Sequence, residues 1–396
     1  MEKIKITLKT FFGAEQVLQE ELTELGYTDS KLLNRAVQIE GTWKDVYYLN
    51  LHLRCAICVL VEFKTFRIKE EKDVYKQALK IDWTQFFTID KSFAIRGAVN
   101  SKLFSHSQYP HLLLKDAIVD VFREKTGKRP DVQLKSPQVV FDLYIKEDFV
   151  TISLNTSGAP LFQRGYRFET GEAPMNEVIA ASLIRMSGWD RKSAFMDPFC
   201  GSGTILIEAA MLAANIPSCI DRQHYAFKNF KNYDEALWDE IYAAANKRCK
   251  PFDFPIAGSD IDSEMVLITK RNLRGLPFSK FISVTTKPFE EVKKIAPNGT
   301  LICNPPYGER MGEDVNEMYA ALGDWFKNEL KGYQCWVISS NEEAFKNVGL
   351  KPDRKYKLYN GDLECSFRKY SIFEGFRKSV LAENNGETEV VNELPS

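Results

Sequence analysis

Residues 197–204 read Asp-Pro-Phe-Cys-Gly-Ser-Gly-Thr and directly follow the short apolar run 194–196. An apolar strand that turns through two glycines into a helix, predicted over 205–214, is typical of an α/β fold with a parallel sheet. The glycines allow a ligand to approach the backbone N–H groups closely. A dinucleotide would require a third glycine where Leu206 stands, and the lysine of a phosphate-binding loop is missing. The stretch therefore predicts a cofactor other than NAD or ATP.

Acidic residues follow the first two strands of this sheet. Asp197 would repel a pyrophosphate but attract the α-ammonium group of S-adenosylmethionine. The second strand, predicted over 256–259, is followed by Asp260, whose carboxylate can accept hydrogen bonds from both ribose hydroxyls. Asp262 either contacts the same ribose or caps the helix predicted over 264–272, and both interpretations remain open. The pattern favours S-adenosylmethionine.

A second motif, Asn-Pro-Pro-Tyr at 304–307, follows the apolar run 300–303. The Asn304 side-chain oxygen and the Pro305 carbonyl can accept the two N–H bonds of an aromatic amine, whose lone pair then points at an electrophilic methyl group. Pro305 and Pro306 stiffen the turn, and Tyr307 offers a ring face to an unstacked base. Together the two motifs predict methyl transfer to an exocyclic nitrogen of a nucleobase.

The composition excludes several classes of protein. A hydrophobic content of 44% and a charged content of 27% are typical of a soluble globular chain. No run approaches the roughly 18 apolar residues of a membrane span, and the first residues lack the apolar core of a signal peptide, so a cytoplasmic location is expected. The eight cysteines indicate reduced thiols in a core. The only Cys-x-x-Cys, at 55–58, has no second pair, so no metal is expected.

The net charge of −1 neither supports nor excludes a nucleic-acid partner. Residues 1–164 contain 24 Lys and Arg against 21 Asp and Glu, whereas the rest contains 29 against 33. Binding of RNA would therefore need a local basic surface rather than a global field.

Hydrophobic periodicity predicts an α+β N-terminal half and a C-terminal parallel sheet. The first half contains two units with the predicted elements strand 3–10, helix 13–25, strand 36–40 and helix 43–53, then helix 74–79, strand 92–98, helix 110–126 and strands 139–145 and 149–155. The second half contains the strands 194–196, 256–259, 281–285, 300–303 and 334–339, with 355–359 and 364–370 as an antiparallel pair at one edge. Residues 215–255 are predicted to interrupt this sheet as an aromatic, basic insertion.

The motifs resemble those of the class I S-adenosylmethionine-dependent methyltransferases, and more narrowly the THUMP-domain guanine-N2 methyltransferases of large-subunit ribosomal RNA, formerly often labelled adenine-specific DNA methylases. The resemblance rests on 197–204, on 304–310, on 153–167 and on 174–177. It implies a ferredoxin-like unit over 1–65, a THUMP domain over 66–168, a Rossmann-like methyltransferase domain over 169–381 and a disordered acidic tail over 382–396. One departure is that no acid stands in 285–288, where such enzymes hold the adenine amine; Phe289 could pack on the adenine instead.

The resemblance also implies roles for individual residues. A monomer is expected to capture ribosomal RNA and to bind no membrane and no metal. Catalysis is assigned to Asn304, Pro305, Pro306 and Tyr307. Contacts to S-adenosylmethionine are assigned to Asp197, Pro198, Phe199, Gly201, Gly203, Thr204, Asp260, Asp262 and Asn304. Contacts to RNA are assigned to Arg164 and Arg167 first, and then to Arg96, Lys102, Lys128, Arg129 and Lys135.

Other chemistries are weighed against this hypothesis. A cysteine nucleophile, Cys200 or Cys303, would give a C5-methylpyrimidine, but both residues lie in structural positions of the motifs. An adenine-N6 methyltransferase would use the same Asn-Pro-Pro-Tyr, as would an enzyme acting on a glutamine side chain. A non-catalytic RNA-binding assembly factor with the same fold is the alternative from another class.

Overall fold

A computed structural model of the protein describes residues 3–169, 171, 174–306, 314–361 and 363–373. The strands, in chain order, are β1 (Ile4–Lys9), β2 (Ser30–Leu33), β3 (Ala36–Gly41), β4 (Cys58–Arg67), β5 (Phe93–Arg96), β6 (Val99–Asn100), β7 (Val139–Lys146), β8 (Phe149–Asn155), β9 (Ala194–Asp197), β10 (Ile256–Asp260), β11 (Ile282–Thr286), β12 (Gly299–Cys303), β13 (Tyr333–Ser339), β14 (Arg354–Asn360) and β15 (Leu363–Ser371). The α-helices are α1 (Glu15–Glu24), α2 (Trp43–His52), α3 (Asp73–Ala78), α4 (Tyr109–Thr126), α5 (Glu177–Met186), α6 (Thr204–Ala213), α7 (Glu235–Asn246), α8 (Ser263–Leu273), α9 (Asp314–Glu329) and α10 (Ala344–Asn347).

The chain divides into two compact units, of which the first contains residues 1–167 and 215–249 and the second contains residues 168–214 and 250–396. Most of the insertion predicted over 215–255 therefore belongs to the first unit rather than to the second. The physical reason is aromatic packing: Phe227 lies 4.7 Å from Tyr47 of α2 between ring centroids, and Trp238 meets Tyr47 edge-on at 6.3 Å. The insertion buries these aromatic side chains against that helix.

One mixed sheet runs through the first unit. Among the described residues it has eight strands in the order β2-β3-β1-β4-β8-β7-β5, with β6 also paired to β7. Residues 1–65 and 66–168 are predicted as two separate domains, and no strand is predicted at the position of β4. In the structure β4 pairs antiparallel with both β1 and β8, so these two predicted domains share a continuous hydrogen-bonded sheet.

Two buried arginines hold the segment after β8 in place through hydrogen bonds to backbone carbonyl oxygens of this unit. Arg164, which is 1% exposed, donates from its guanidinium to the carbonyl oxygens of Leu53, Arg54 and Leu161. Arg222, 8% exposed, donates to carbonyl oxygens at both ends of the loop 157–163 and to its own neighbour His224. Such a buried cation is tolerated because oriented carbonyl dipoles replace its water.

The Arg164 contacts correct the sequence analysis, which ranks this residue first among the RNA contacts. Its guanidinium is enclosed by backbone oxygens and cannot reach a phosphate. We expect Arg164→Met to lower the free energy of unfolding by about 3 kcal/mol, since several buried carbonyls lose their donor. Urea unfolding measures this, with the exposed Lys128→Met as the control that should be neutral. Equal stability of both variants would contradict the structural role of Arg164.

The sheet of the second unit has the strand order β11-β10-β9-β12-β13-β15-β14. The first five strands are parallel, and β15 and β14 add to the edge in antiparallel pairing, which confirms the predicted arrangement. Apolar residues of β12 and β13, such as Leu301 and Val337, are fully buried against Leu322 and Phe326 of α9. This core fixes the positions at which the central strands end.

None of the helices in the described ranges is both long and apolar enough to cross a membrane.

Candidate active site

The carboxyl ends of the central parallel strands surround a cavity of about 540 Å³ in the second unit. The chain runs from β9 outward through β10 and β11 and then returns to the other side of β9 as β12. This reversal leaves a crevice beside the end of β9, which is where open α/β sheets bind ligands. The cavity lining includes the predicted residues Asp197, Pro198, Phe199, Gly201, Thr204, Asp260, Asp262, Asn304 and Pro306. Residues far apart in sequence are thus brought together, whereas the predicted residues Gly203 and Pro305 are not among the described residues that line the cavity.

The glycine loop between β9 and α6 is held in a conformation that requires its glycines. Gly203 has φ +85°, and a Cβ there would lie 2.7 Å from a methyl carbon of Thr269. Gly201 has φ +51°, and a Cβ there would point into open space. Gly203 therefore serves close packing of the loop on α8, whereas Gly201 leaves room for a ligand to approach the backbone.

Side chains of α8 support this loop from below, and the sequence analysis missed them. Thr269 donates to the carbonyl oxygen of Gly201 at 2.5 Å, and Asn272 donates to that of Ser202 at 3.0 Å. The Asn272 oxygen also accepts the backbone N–H groups of Phe168 and Glu169. The only sequence signal was two polar residues on one face of an amphipathic helix, which by itself is equally typical of a solvated face.

Asp260 at the end of β10 accepts two backbone hydrogen bonds, from Gly201 N to Oδ2 at 2.8 Å and from Asp262 N to Oδ1 at 3.0 Å. These bonds fix the carboxylate, and each oxygen keeps a second lone pair for a ligand. Asp262 accepts from the N–H of Glu264 at 2.8 Å and is the N-cap of α8. Because Asp262 also lines the cavity, its two roles are compatible.

Asp197 ends β9 and is 2% exposed. Burial, together with the nearby negative charge of Asp260, raises its pKa to about 8, although the hydrogen bond that Asp197 accepts from the N–H of Phe199 lowers it. No described cationic side chain pairs with this carboxyl group, and with a pKa of about 8 it is mostly protonated at neutral pH. A cation that enters the cavity would favour loss of this proton and would pair with the carboxylate.

Asn304 follows β12 and lines the same cavity. Its side-chain oxygen Oδ1 is buried and accepts no hydrogen bond from any described residue. Pro305 is buried and Pro306 is exposed at the cavity. A buried acceptor without a donor is costly, so a ligand that brings a donor to this oxygen would be stabilised there. The predicted catalytic residue Tyr307 lies outside the described residues.

The far wall of the cavity contains Pro288, Phe289 and Glu290, which follow β11. Phe289 is buried and packs against Phe199, with ring centroids 5.2 Å apart, and against Trp325 at 5.6 Å. The ring contributes an apolar surface to the cavity while remaining part of the core. This wall is compatible with the predicted packing of Phe289 on an adenine.

The cysteines of the two motifs are held as thiols. Cys200 and Cys303 are both buried, and burial raises the pKa of each thiol well above its usual value. The charge of Asp197 raises both pKa values further. A nucleophilic cysteine needs a lowered pKa, so neither residue suits the C5-methylpyrimidine alternative. The described residues also contain no cluster of three side chains that could hold a metal ion.

The residues predicted to contact RNA lie in different surroundings within the first unit. Arg96 is exposed and lines a groove beside the loop 157–163. Arg129 lines another cavity that also contains Asp116, Asp120 and Asp131. Lys128 is exposed, whereas Arg164 is buried as described above. Arg167, the last residue of the segment, is half-buried. Only part of the predicted set therefore lies at a free surface.

Comparison with protein families accounts for nearly the whole chain. Residues 164–369 match the family described as "RMKL-like, methyltransferase domain". Residues 69–155 match the THUMP domain, and residues 5–60 match the RlmL ferredoxin-like domain. The order of these three matches along the chain is that of the predicted domains.

Individual proteins are similar over most of the chain. A ribosomal RNA large subunit methyltransferase K/L of Shewanella frigidimarina is 34% identical over 394 residues, which is 97% of this chain and 55% of that protein. The chain thus spans about half the length of the curated relatives it matches. Among solved structures, SMU.472 in complex with SAH has a TM-score of 0.85 and 27% identity, covering 95% of this chain and all of that one. A protein of Clostridium difficile 630 described as a possible methylase has a TM-score of 0.84 and 29% identity, with the same coverage.

Proposed function

Because the chain belongs to the RMKL-like methyltransferase family, we propose that it transfers a methyl group to the exocyclic N2 of a guanine in large-subunit ribosomal RNA. The methyl donor is S-adenosylmethionine. The observation that carries the proposal is the buried Oδ1 of Asn304, which has no hydrogen-bond partner among the described residues, on a side chain that lines the same cavity as Asp197 and Asp260. Methyl transfer to an aromatic amine requires a hydrogen-bond acceptor for the amine beside the cavity that would hold the cofactor.

The residues of the cavity fit S-adenosylmethionine. The fixed carboxylate of Asp260 has the position and the free lone pairs to accept ribose hydroxyls. The buried carboxyl of Asp197 can pair with the α-ammonium group. Gly201 leaves the backbone accessible, and Phe289 supplies an apolar wall for the base. When bound, the cofactor supplies an electrophilic methyl group on a sulfonium.

The protein contributes placement rather than acid–base chemistry. Asn304 Oδ1 and the Pro305 carbonyl accept the two N–H bonds of the guanine amine, so that its lone pair is directed at the cofactor. This orientation matters because the lone pair of the free amine is delocalised into the ring, which makes the amine a poor nucleophile. The amine nitrogen would take up the methyl group of a bound sulfonium, which would leave as the thioether, and the amine would then release one proton to solvent. No described residue needs to act as a general base.

Ribosomal RNA is proposed as the substrate on three grounds: the THUMP match over 69–155, the RlmL ferredoxin-like match over 5–60 and the name of the relatives. Those relatives are about twice as long as this chain, so the transfer of their substrate to this protein belongs to the proposal. Ribosome assembly would place the reaction in the cytoplasm. The protein is proposed to act there as a monomer.

The test is methylation by the purified protein with labelled S-adenosylmethionine, offering ribosomal RNA and genomic DNA side by side, followed by nucleoside analysis. N2-methylguanosine from RNA alone is the expected product. N7-methylguanosine would show that the attacked atom is a different one, and N6-methyladenine would contradict the proposed base. Measurable cofactor binding without any transfer would favour a non-catalytic role.

Replacement of Asn304 separates catalysis from cofactor binding. Asn304→Ala should lower the rate of transfer about 100-fold or more, because one of two acceptors for the amine is lost. Asn304→Asp keeps an acceptor of similar shape and should retain part of the activity. Isothermal titration with S-adenosylhomocysteine should give nearly unchanged affinity for both variants. A parallel loss of cofactor affinity and rate in Asn304→Ala would contradict the assigned role.

Cofactor binding should depend on pH through Asp197, whose pKa is raised to about 8. Below that pH the free protein carries a protonated Asp197, and pairing with the α-ammonium requires the proton to leave. The affinity for S-adenosylhomocysteine should therefore rise with pH, by up to about tenfold per unit between pH 6 and 8, and level off above 8.

Titration calorimetry in buffers of different ionisation heat should detect the released proton. Asp197→Asn should bind more weakly and without this pH dependence. Asp262→Asn, which changes an exposed carboxylate in the same cavity, is the matched control and should keep the slope. A wild-type affinity that does not change between pH 6 and 8 would contradict the pairing.

A further inference from the structure

A groove in the first unit is lined by basic and amide side chains and has a volume of about 640 Å³. Its cationic residues are Arg96, Lys135 and Lys228, and His224 lies beside them. No Asp or Glu occurs among the described residues that line it. The cavity around Arg129 differs, because three aspartates stand among its basic residues. A surface free of acids is unusual in a chain whose net charge is −1.

The three cations of the groove are exposed, and none forms an ion pair with a described acidic residue. Arg96 makes a long contact of 3.4 Å to the carbonyl oxygen of Leu134, and Lys228 lies 5.1 Å from the centre of the Trp238 ring. These contacts leave the charges without an anionic partner. Three unneutralised cations around one concavity create a positive potential that attracts an anion.

The wall of the groove is rigid because Arg222 holds it from behind. Its guanidinium donates to the carbonyl oxygens of Ser157, Ala159, Pro160, Gln163 and His224, at 2.6 to 3.0 Å. An arginine has five N–H donors, and each of them is used here. The loop after β8 and the insertion are thereby joined into one wall.

Other contacts fix the opposite end of the groove. Asn229 donates to the carbonyl oxygen of Gln138 at 3.0 Å and so ties the insertion to the residue before β7. Gly158 has φ +78°, and its missing side chain permits Ala226 to pack closely, since a Cβ would lie 3.2 Å from that of Ala226. The concavity thus exists before any ligand arrives, which lowers the cost of binding.

From these observations we infer that the groove of Arg96, Lys135 and Lys228 binds the backbone of a single-stranded segment of the RNA substrate. Its volume lies in the range of roughly 300–1,000 Å³ that is typical of small-molecule binding pockets. Exposed amides of Gln163 and Gln223 can donate to and accept from base edges. The convex surface of a duplex cannot enter a concavity of this size, whereas an unpaired strand can.

This inference rests on the proposed RNA substrate but assigns a surface that the sequence analysis predicted only in part. Arg96 and Lys135 were both among the predicted contacts, whereas Lys228 comes from the insertion that was predicted as part of the other domain. The insertion therefore has a function in the first unit beyond covering α2: it supplies one wall and one cation of the groove.

The test compares a groove variant with a matched control in the full chain. The groove variant combines Arg96→Gln, Lys135→Gln and Lys228→Gln. The control combines Lys31→Gln, Lys64→Gln and Lys80→Gln, which are exposed, line no part of the groove and change the net charge equally. Fluorescence anisotropy with a 12-nucleotide oligouridine and with an RNA duplex of equal length measures binding between 0.05 and 0.3 M salt.

We expect the groove variant to bind oligouridine about 10- to 100-fold more weakly at 0.1 M salt. The slope of log K against log salt should fall by about 2, since each lost phosphate contact contributes about 0.7 for a single strand. The control should keep both values. Unchanged oligouridine binding in the groove variant would overturn the inference, as would a loss confined to the duplex.

Two further measurements separate this inference from the proposed function. Affinity for S-adenosylhomocysteine should be unchanged in the groove variant, and transfer to ribosomal RNA should fall with RNA binding. If the wild-type protein methylates no RNA while the groove variant still loses oligouridine binding, the proposed reaction fails and the groove stands. If naked RNA binds equally well but methylation of partly assembled subunits falls, the groove faces a ribosomal protein and the inference is overturned.

Discussion

The geometry of the cofactor cavity depends on the hydrogen bond from the N–H of Gly201 to the carboxylate of Asp260, which joins the ends of two neighbouring strands. The bond holds the glycine loop against β10, and it holds the acid in one orientation at the cavity edge. A ligand that meets a carboxylate already fixed by two backbone N–H groups does not have to order it. The same side chain thus belongs to the scaffold and to the binding surface, which explains why an acid is needed at the end of that strand.

Two polar side chains that line this cavity are stabilised less well than buried polar side chains usually are. Asp197 is buried without a cation, and the oxygen of Asn304 is buried without a donor from the described residues. Leaving a polar group of this kind unpaired costs about 1–3 kcal/mol each. The packed core of β12, β13 and α9 directly behind them offsets that cost. A cation that entered the cavity would pair with Asp197, and an amine would donate a hydrogen bond to Asn304. The proposed chemistry therefore accounts for the missing partners of both groups.

The motif residues of the second unit could be predicted because they follow apolar strands, and parallel strands end at a common edge. Asp197, Asp260 and Asn304 therefore meet, although more than a hundred residues separate the first from the last. The support from Thr269 and Asn272 could not be predicted, since a polar residue on an amphipathic helix has the same pattern whether it faces solvent or a loop. The strand β4 was missed because its apolar run follows a helix without a turn signal, and its pairing with β8 connects residues about ninety positions apart.

Charge was the least predictable property, for a reason that the two buried arginines make plain. Arg164 ranks first among the predicted RNA contacts, yet its guanidinium group, like that of Arg222, is used by backbone carbonyls within the first unit. The cations of the groove come from three separate stretches of the sequence. What makes Arg96, Lys135 and Lys228 a candidate site is that no acid stands among them, and this follows from how the insertion folds over the end of β8. The electrostatics of such a protein are therefore determined by which charges the backbone has already consumed, and a count of basic residues gives no guide to them.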